Sequence, residues 1–357
     1  MIPSDLTSRH LAPGLSVKPL AMGCWPIGGP TVNRGRPVGW SPVEDRVALD
    51  GLRACLEHGA NLFHVADLFG HGRSERLLGQ ALKQTSCAGV RIAGTAGYVH
   101  GTAPHPYALP HLRHQVEQSL ANLGVASLDL LLLHTLDFGP GARYLEDALV
   151  QLDALRESGL VRAVGIRGPH LQAGSQQDLH GITRVFLDAF ALVNPDTVWS
   201  RASPLSPPVL INGEDIVAFT ARHGASLILT EPLAQGLLTG KHHPLAPPLF
   251  QPGDHRRHMN WYQNPGLRII TEGLTPLRER FGEQPSDLIR VALRHSLQQP
   301  DHTVVVAGFT SEAQVKELFR LGDPLTDDEL HFAAAVYTRI REQLSEAEGG
   351  HRHQLTV

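Results

Sequence analysis

The stretch that most restricts how this chain can fold is Asn61 to Lys83, NLFHVADLFGHGRSERLLGQALK. It opens on Leu62-Phe63, a short apolar run after Gly59-Ala60, which predicts a buried strand. Gly70 and Gly72 then mark a turn. Ser74 stands where a helix N-cap belongs, ahead of Leu77, Leu78 and Leu82 at helical spacing. Strand, glycine turn and capped helix make half of a βα unit. When such units close into a barrel, the polar groups at these junctions face a pocket.

The same alternation is predicted along the rest of the chain. Residues 1 to 14 look like a loose lead-in, and Val17 to Ile27 is the first strand, followed by a polar loop from Thr31 to Ser41. Val43 to His58 has the apolar spacing of an amphipathic helix closed by Gly59. Val90 to Thr95 is the third strand, and Leu109 to Leu123 is a helix. The nearly continuous apolar run Leu128 to His134 suits a parallel strand buried on both faces. Further strands are expected at Val161 to Ile166, Thr197 to Trp199, Ser226 to Thr230 and Thr303 to Val306. Helices are expected at Leu145 to Ser158, Ile211 to His223 and Ser311 to Phe319. Eight such repeats predict an α/β fold, a (β/α)8 TIM barrel in a single domain over residues 1–344. The Pro-, His- and Arg-rich loop 242–274 is a candidate lid. Asp327 to Leu344 is expected to pack across one end of the barrel, ahead of a disordered tail at 345–357.

Composition excludes several classes. A net charge of −4 without a basic stripe argues against nucleic acid as a partner. Cys24, Cys55 and Cys87 cannot build a disulfide framework, which points to a reducing, cytoplasmic location. No apolar run reaches membrane length and no signal-peptide core is visible, so no membrane association is expected.

Several separated segments resemble motifs of the aldo-keto reductase superfamily. Asn61 to Leu82 is similar to that family's NFFDTADxYGxGxSExxLGxAL pattern at Ala66-Asp67, Gly70, Gly72, Ser74-Glu75 and Leu78-Gly79. SLANLG, LDLLLLHTLD, GLVRAVGI, EPLAQGLLTGK and VVVAGFTSEAQVKEL resemble further family segments in the family's order, from about Val17 to Leu344. The resemblance implies the same barrel, with His64, Ala96, His134, Arg167 and Glu231 at the C-terminal strand ends.

In a typical member, a tyrosine hydroxyl protonates a carbonyl oxygen while NADPH delivers hydride. A lysine and an aspartate tune that tyrosine, and a histidine orients the substrate. The matching positions here hold Phe69 for the tyrosine, His64 for the aspartate and Ala96 for the lysine; the histidine is kept as His134. Phe69 has no proton to give, and loss of a general acid costs roughly 10²–10⁴ in rate. The implied cofactor positions differ too. Arg167 and Gly168 replace a Ser-Asn pair at the nicotinamide, Trp199 a glutamine, and Glu231 a serine beside the pyrophosphate. Thr310 replaces the basic residue at the 2′-phosphate and Leu318 an adenine-contacting asparagine, while Glu317 persists. Ser311 and Gln314 keep polar side chains there. A carboxylate about 4 Å from a phosphate costs roughly 1–4 kcal/mol in partly solvated surroundings.

These departures predict that no cofactor is favoured and that the chain is a non-redox enzyme of lyase, dehydratase, isomerase or cyclase type. His64 and His134 would be its catalytic acid and base, since imidazole titrates near neutrality. Asp67, Phe69, Arg167, Trp199 and Glu231 would bind a small-molecule substrate, with Arg167 suited to an anionic one. Two alternatives stand beside this reading. One is an NAD(P)H-dependent oxidoreductase using NADP; the other is an inactive binding or regulatory protein. His64, Asp67, His134 and Glu231 are ligand types for Zn²⁺, but no dense ligand motif accompanies them and no metal is expected.

Overall fold

In the computed structural model, which describes residues 6–84, 89–170 and 179–354, eight parallel strands close into a barrel. They are β1 (Leu20–Gly23), β2 (Leu62–Ala66), β3 (Arg91–Ala96), β4 (Leu128–Leu133), β5 (Val161–Arg167), β6 (Thr197–Arg201), β7 (Ser226–Thr230) and β8 (Thr303–Gly308). Each pairs with its sequence neighbours, and β8 pairs with β1 to close the ring. All six residues of LDLLLL in β4 are buried, as a strand packed between barrel interior and helices requires. The surrounding helices are α1 (Asp45–Glu57), α2 (Arg73–Gln84), α3 (His111–Leu123), α4 (Leu145–Glu157), α5 (Leu179–Val193) and α6 (Ile216–Arg222). After β7 come α7 (Gly266–Gly273), α8 (Thr275–Phe281) and α9 (Pro285–Leu297); after β8, α10 (Glu312–Leu318) and α11 (Asp327–Gln354).

Several local expectations need correction. The stretch at 9–17 is no loose lead-in but a hairpin, Arg9–Ala12 against Leu15–Val17, which plugs the N-terminal end of the barrel. The first residues of β6 and β7 fasten it: Thr197 Oγ1 donates to Leu11 O at 2.8 Å and Ser226 Oγ to His10 O at 2.7 Å. Leu11, Leu15 and Val17 join the same interior cluster as Ala21, Leu62, Leu130 and Ile228. The barrel is therefore closed below, and a ligand can enter only from the C-terminal strand ends. β1 is shorter than expected, because Trp25–Gly28 forms a turn of helix with Pro26 near its start. Ser74 is not an N-cap; it lies inside α2, fully buried. Loop 242–274 is partly helical, with 3₁₀ turns at His255–His258 and Asn260–Tyr262 leading into α7. The last helix runs beyond Leu344 to Gln354, and 355–357, the end of the expected tail, fall outside the described residues, as does Cys87. Cys24 and Cys55 are buried and unpaired.

One glycine in the opening stretch has a geometric duty. Gly70 has φ +66°, and a Cβ there would come within 2.3 Å of Gly28 O. The turn after β2 thus packs directly on the Trp25–Gly28 turn after β1, placing Phe69 beside Trp25 with ring centroids 6.1 Å apart.

Candidate active site

A cavity of about 740 Å³ opens at the C-terminal ends of the strands, within the roughly 300–1,000 Å³ typical of small-molecule and cofactor sites. His64, Phe69, His134, Arg167, Trp199 and Glu231 all contribute to its wall. Thr310, Gln314 and Glu317 line its far side, at the β8–α10 turn. Ser311 instead caps α10, accepting from Gln314 N. Ala96 and Arg167 end their strands, His134 and Glu231 lie one residue beyond theirs, and His64 sits deeper, mid-way along β2. Ala96 is buried in the main hydrophobic core, and its neighbour Thr95 is the β3 residue that faces the cavity. Asp67, expected to touch substrate, does not line this cavity. Although the residue keeps some exposure elsewhere, both its carboxylate oxygens are shielded and have no hydrogen-bond partner. Burial first, and then the neighbouring Glu75, push its carboxyl up to about 8.

The two histidines do not form an acid–base pair working near neutrality. Burial pulls His64 down to about 4, and its Nε2 lies 2.7 Å from Thr95 Oγ1. His134 is drawn well below the usual imidazole range by burial, then by the charges of Arg167 and Arg201. Its ring stacks on Tyr98 with centroids 4.7 Å apart, meets Trp199 edge-on, and leaves Nδ1 without a partner. Both imidazoles are neutral at pH 7.

Charge in the cavity is arranged in pairs that single positions do not reveal. Glu231 holds a left-handed backbone (φ +65°) and accepts from Arg201 Nε at 3.0 Å and Gln235 Nε2 at 3.1 Å. It is a compensated charge rather than a bare anion. Arg167 donates to His134 O at 3.3 Å and to His170 Nε2 at 2.8 Å, with its guanidinium over the Trp199 ring. It has no carboxylate partner among the described residues, and burial together with Arg201 lowers it to about 9. Arg201, Lys241 and Arg256 also line the cavity; Arg201 is paired with Glu231 and Arg256 with buried Asp254, which leaves Arg167 and Lys241 as the lining cations without a carboxylate partner among the described residues. That donor set suits an elongated, anion-bearing ligand and fits a nicotinamide dinucleotide.

Loop 242–274 is fastened over this cavity. Ser41 N and Oγ donate to Asp254 Oδ2 at 2.8 and 2.7 Å, while His255 bonds Gly39 O through N and Nδ1. His255 also stacks on Trp25, with centroids 4.6 Å apart. Trp25, Trp40, Tyr98, Arg201 and His255 are wall residues that sequence reasoning missed. Trp25 and Tyr98 had a usable signal, since each lies within two residues of a barrel strand's C-terminal end.

The model of the aldo/keto reductase family matches residues 19–337. The chain belongs to that family. Its curated relatives include L-galactose dehydrogenase of Arabidopsis thaliana, 24% identical over 308 residues, covering 85% of this chain and 84% of the relative. Another is the NADH-specific methylglyoxal reductase of Escherichia coli, 23% identical over 315 residues, covering 85% of this chain and 89% of the relative. Among solved structures, a glycerol dehydrogenase from Gluconobacter oxydans shares the fold with a TM-score of 0.71, 22% identity and coverage of 93% and 95%.

These findings overturn two expectations. The two relatives above are named as a dehydrogenase and an NADH-specific reductase, so the non-redox assignment and the absence of a favoured cofactor are both corrected. The physical reasons are visible in the site: the histidines do not titrate near pH 7, and the carboxylate at Glu231 is neutralised by Arg201. No helix among the described residues is long and apolar enough to cross a membrane.

Proposed function

We propose that this protein is a nicotinamide-dependent oxidoreductase that interconverts a small carbonyl compound and its alcohol. The observation that carries this reading is one continuous cavity reaching from His134 and Trp199 to Thr310 and Gln314, along which Arg167 and Lys241 have no carboxylate partner among the described residues. Bound there, the nicotinamide would supply the hydride. Arg201 and Lys241 would hold the phosphates, and Thr310, Gln314 and Glu317 would meet the adenosine end. Arg167 and Trp199 would flank the reacting end, with Arg167 able to bind a carboxylate or other anionic group on the substrate through charge-assisted hydrogen bonds. His134, neutral and with an unpartnered Nδ1, would orient a carbonyl or hydroxyl oxygen. The latched 242–274 loop would exclude water and strengthen each of these contacts.

The direct test is absorbance at 340 nm with NADH or NADPH and a set of carbonyl probes: methylglyoxal, glyceraldehyde and 4-nitrobenzaldehyde. Turnover above the reagent blank with at least one pair is expected. Its absence with all of them, in folded protein, refutes the proposal whether or not a nucleotide binds.

A further inference from the structure

We infer that Tyr98 is the proton donor of this site, standing in for the hydroxyl that Phe69 lacks; the inference rests on the oxidoreductase reading above. Carbonyl reduction needs a proton at the oxygen where negative charge develops. Phe69, at the usual position, has no O–H. His64 and His134 are neutral, and a neutral imidazole that gave up its proton would be left as an imidazolate. Serine and threonine hydroxyls would leave a still poorer alkoxide.

The chain has five tyrosines, and their positions decide among them. Tyr107 donates to Thr135 O at 2.6 Å and Tyr262 to Gln235 O at 2.7 Å. Tyr337 is buried in the cluster beneath α11, and Tyr144 stacks on His105. Tyr98 alone lines the cavity, half-buried, and its hydroxyl makes no hydrogen bond to any described residue.

Its backbone is held firmly. Gly97 turns at φ +94°, where a Cβ would come within 2.2 Å of Tyr107 Cε1, and Asn33 Nδ2 donates to Tyr98 O at 3.2 Å. The phenol ring lies on His134, the substrate-orienting group, and packs with the Leu68-Phe69 cluster beside the vacated position. Arg167 is within electrostatic range of it.

In the reducing direction, a bound reduced nicotinamide would supply hydride to the carbonyl carbon. The C=O π pair would move onto oxygen and take the Tyr98 proton, and the phenolate would regain a proton from solvent. Alcohol oxidation runs the same steps in reverse, with the phenolate as base.

The test is Tyr98→Phe, which keeps the ring on His134 and removes only the hydroxyl. Reduction of 4-nitrobenzaldehyde should lose roughly 10²–10⁴ in kcat. NADH affinity, from tryptophan quenching, should stay within about twofold. A readout independent of turnover is benzoate binding to the nucleotide-free protein, also by tryptophan fluorescence. Its carboxylate would accept from the Tyr98 hydroxyl, so its Kd should rise about 10-fold or more in the variant. A variant keeping more than a third of kcat overturns the assignment while leaving the oxidoreductase reading intact. Equal benzoate affinity in both proteins, or none in either, also removes the hydroxyl from the site. If wild-type protein binds NADH but reduces no probe, the oxidoreductase reading fails and the proton-donor role falls with it.

Discussion

Replacing Asp67 with asparagine should stabilise this fold, and by more as the pH rises. The Asp67 carboxyl has an ordinary value of 3.8 and is pushed up to about 8 in the native state by burial and by Glu75. Between those values the unfolded chain binds fewer protons than the native one. Stability must then fall as pH rises, by up to about 1.4 kcal/mol per pH unit across roughly pH 4 to 8, and level off above. Asparagine is neutral throughout and nearly the same shape as the protonated acid. Removing the charge also relieves Glu75, itself raised by burial and held by Asn122 at 2.8 Å. Urea midpoints for wild type and Asp67→Asn at pH 5, 6, 7 and 8 measure the gap directly. It should be smallest at pH 5 and widen steadily to pH 8, while turnover changes less than about threefold because Asp67 is off the cavity wall. A pH-independent gap, one that widens on acidification, or a variant that folds normally but loses activity would each refute the reasoning.

Three further outcomes follow from the site. Between pH 6 and 8 the rate should show no ionisation belonging to His64 or His134, because both are neutral there; an inflection near pH 6.5 that His134→Gln abolishes would contradict this. NADH should bind at least about 10-fold more tightly than NADPH, since Thr310 offers no cation, Lys316 is paired with Glu312 and Arg320 with Glu317. Thr310→Arg should close that gap in a fluorescence titration, and an unchanged ratio would show that the 2′-phosphate is bound elsewhere. Asp254→Ala, which unties Ser41 and strands the Arg256 charge, should cost locally about 3–5 kcal/mol and speed amide exchange at 39–41 and 254–258; unaltered exchange would mean the latch does not depend on it.

The barrel was legible because its signals are redundant. A run such as LDLLLL can be satisfied only by burial on both faces, and eight strand–helix repeats leave few other architectures. The residues at the positions that match the family's tyrosine and lysine, Phe69 and Ala96, can be read from the sequence directly. What escaped were features made by contacts distant in sequence. The 9–17 hairpin is too short to announce itself, and its role depends on Thr197 and Ser226 at the foot of two later strands. The latch joins Ser41 to Asp254, two residues 213 positions apart with nothing local to mark either. Ser74 had the composition of a cap, but the helix begins one residue earlier and buries it.

The expectation that no cofactor is favoured failed for a reason that applies to any rim of a closed barrel. Taken one position at a time, a glutamate where the family has a serine reads as a repulsive charge beside a phosphate. Neighbouring strands, however, bring their ends within ion-pair reach. β6 ends on Arg201 and β7 is followed by Glu231, so a new carboxylate on one strand faces a guanidinium on the next at 3.0 Å. The sign of the cavity is then set by the sum around it, in which the Arg201–Glu231 and Arg256–Asp254 pairs cancel and Arg167 and Lys241 remain. The same reasoning applies to the proposed proton donor. A proton donor need only reach the reacting oxygen, and the turn after β3 brings Tyr98 to the cavity that Phe69 also lines. Function at such a rim is carried by where side-chain tips converge, and several strands can supply the same tip.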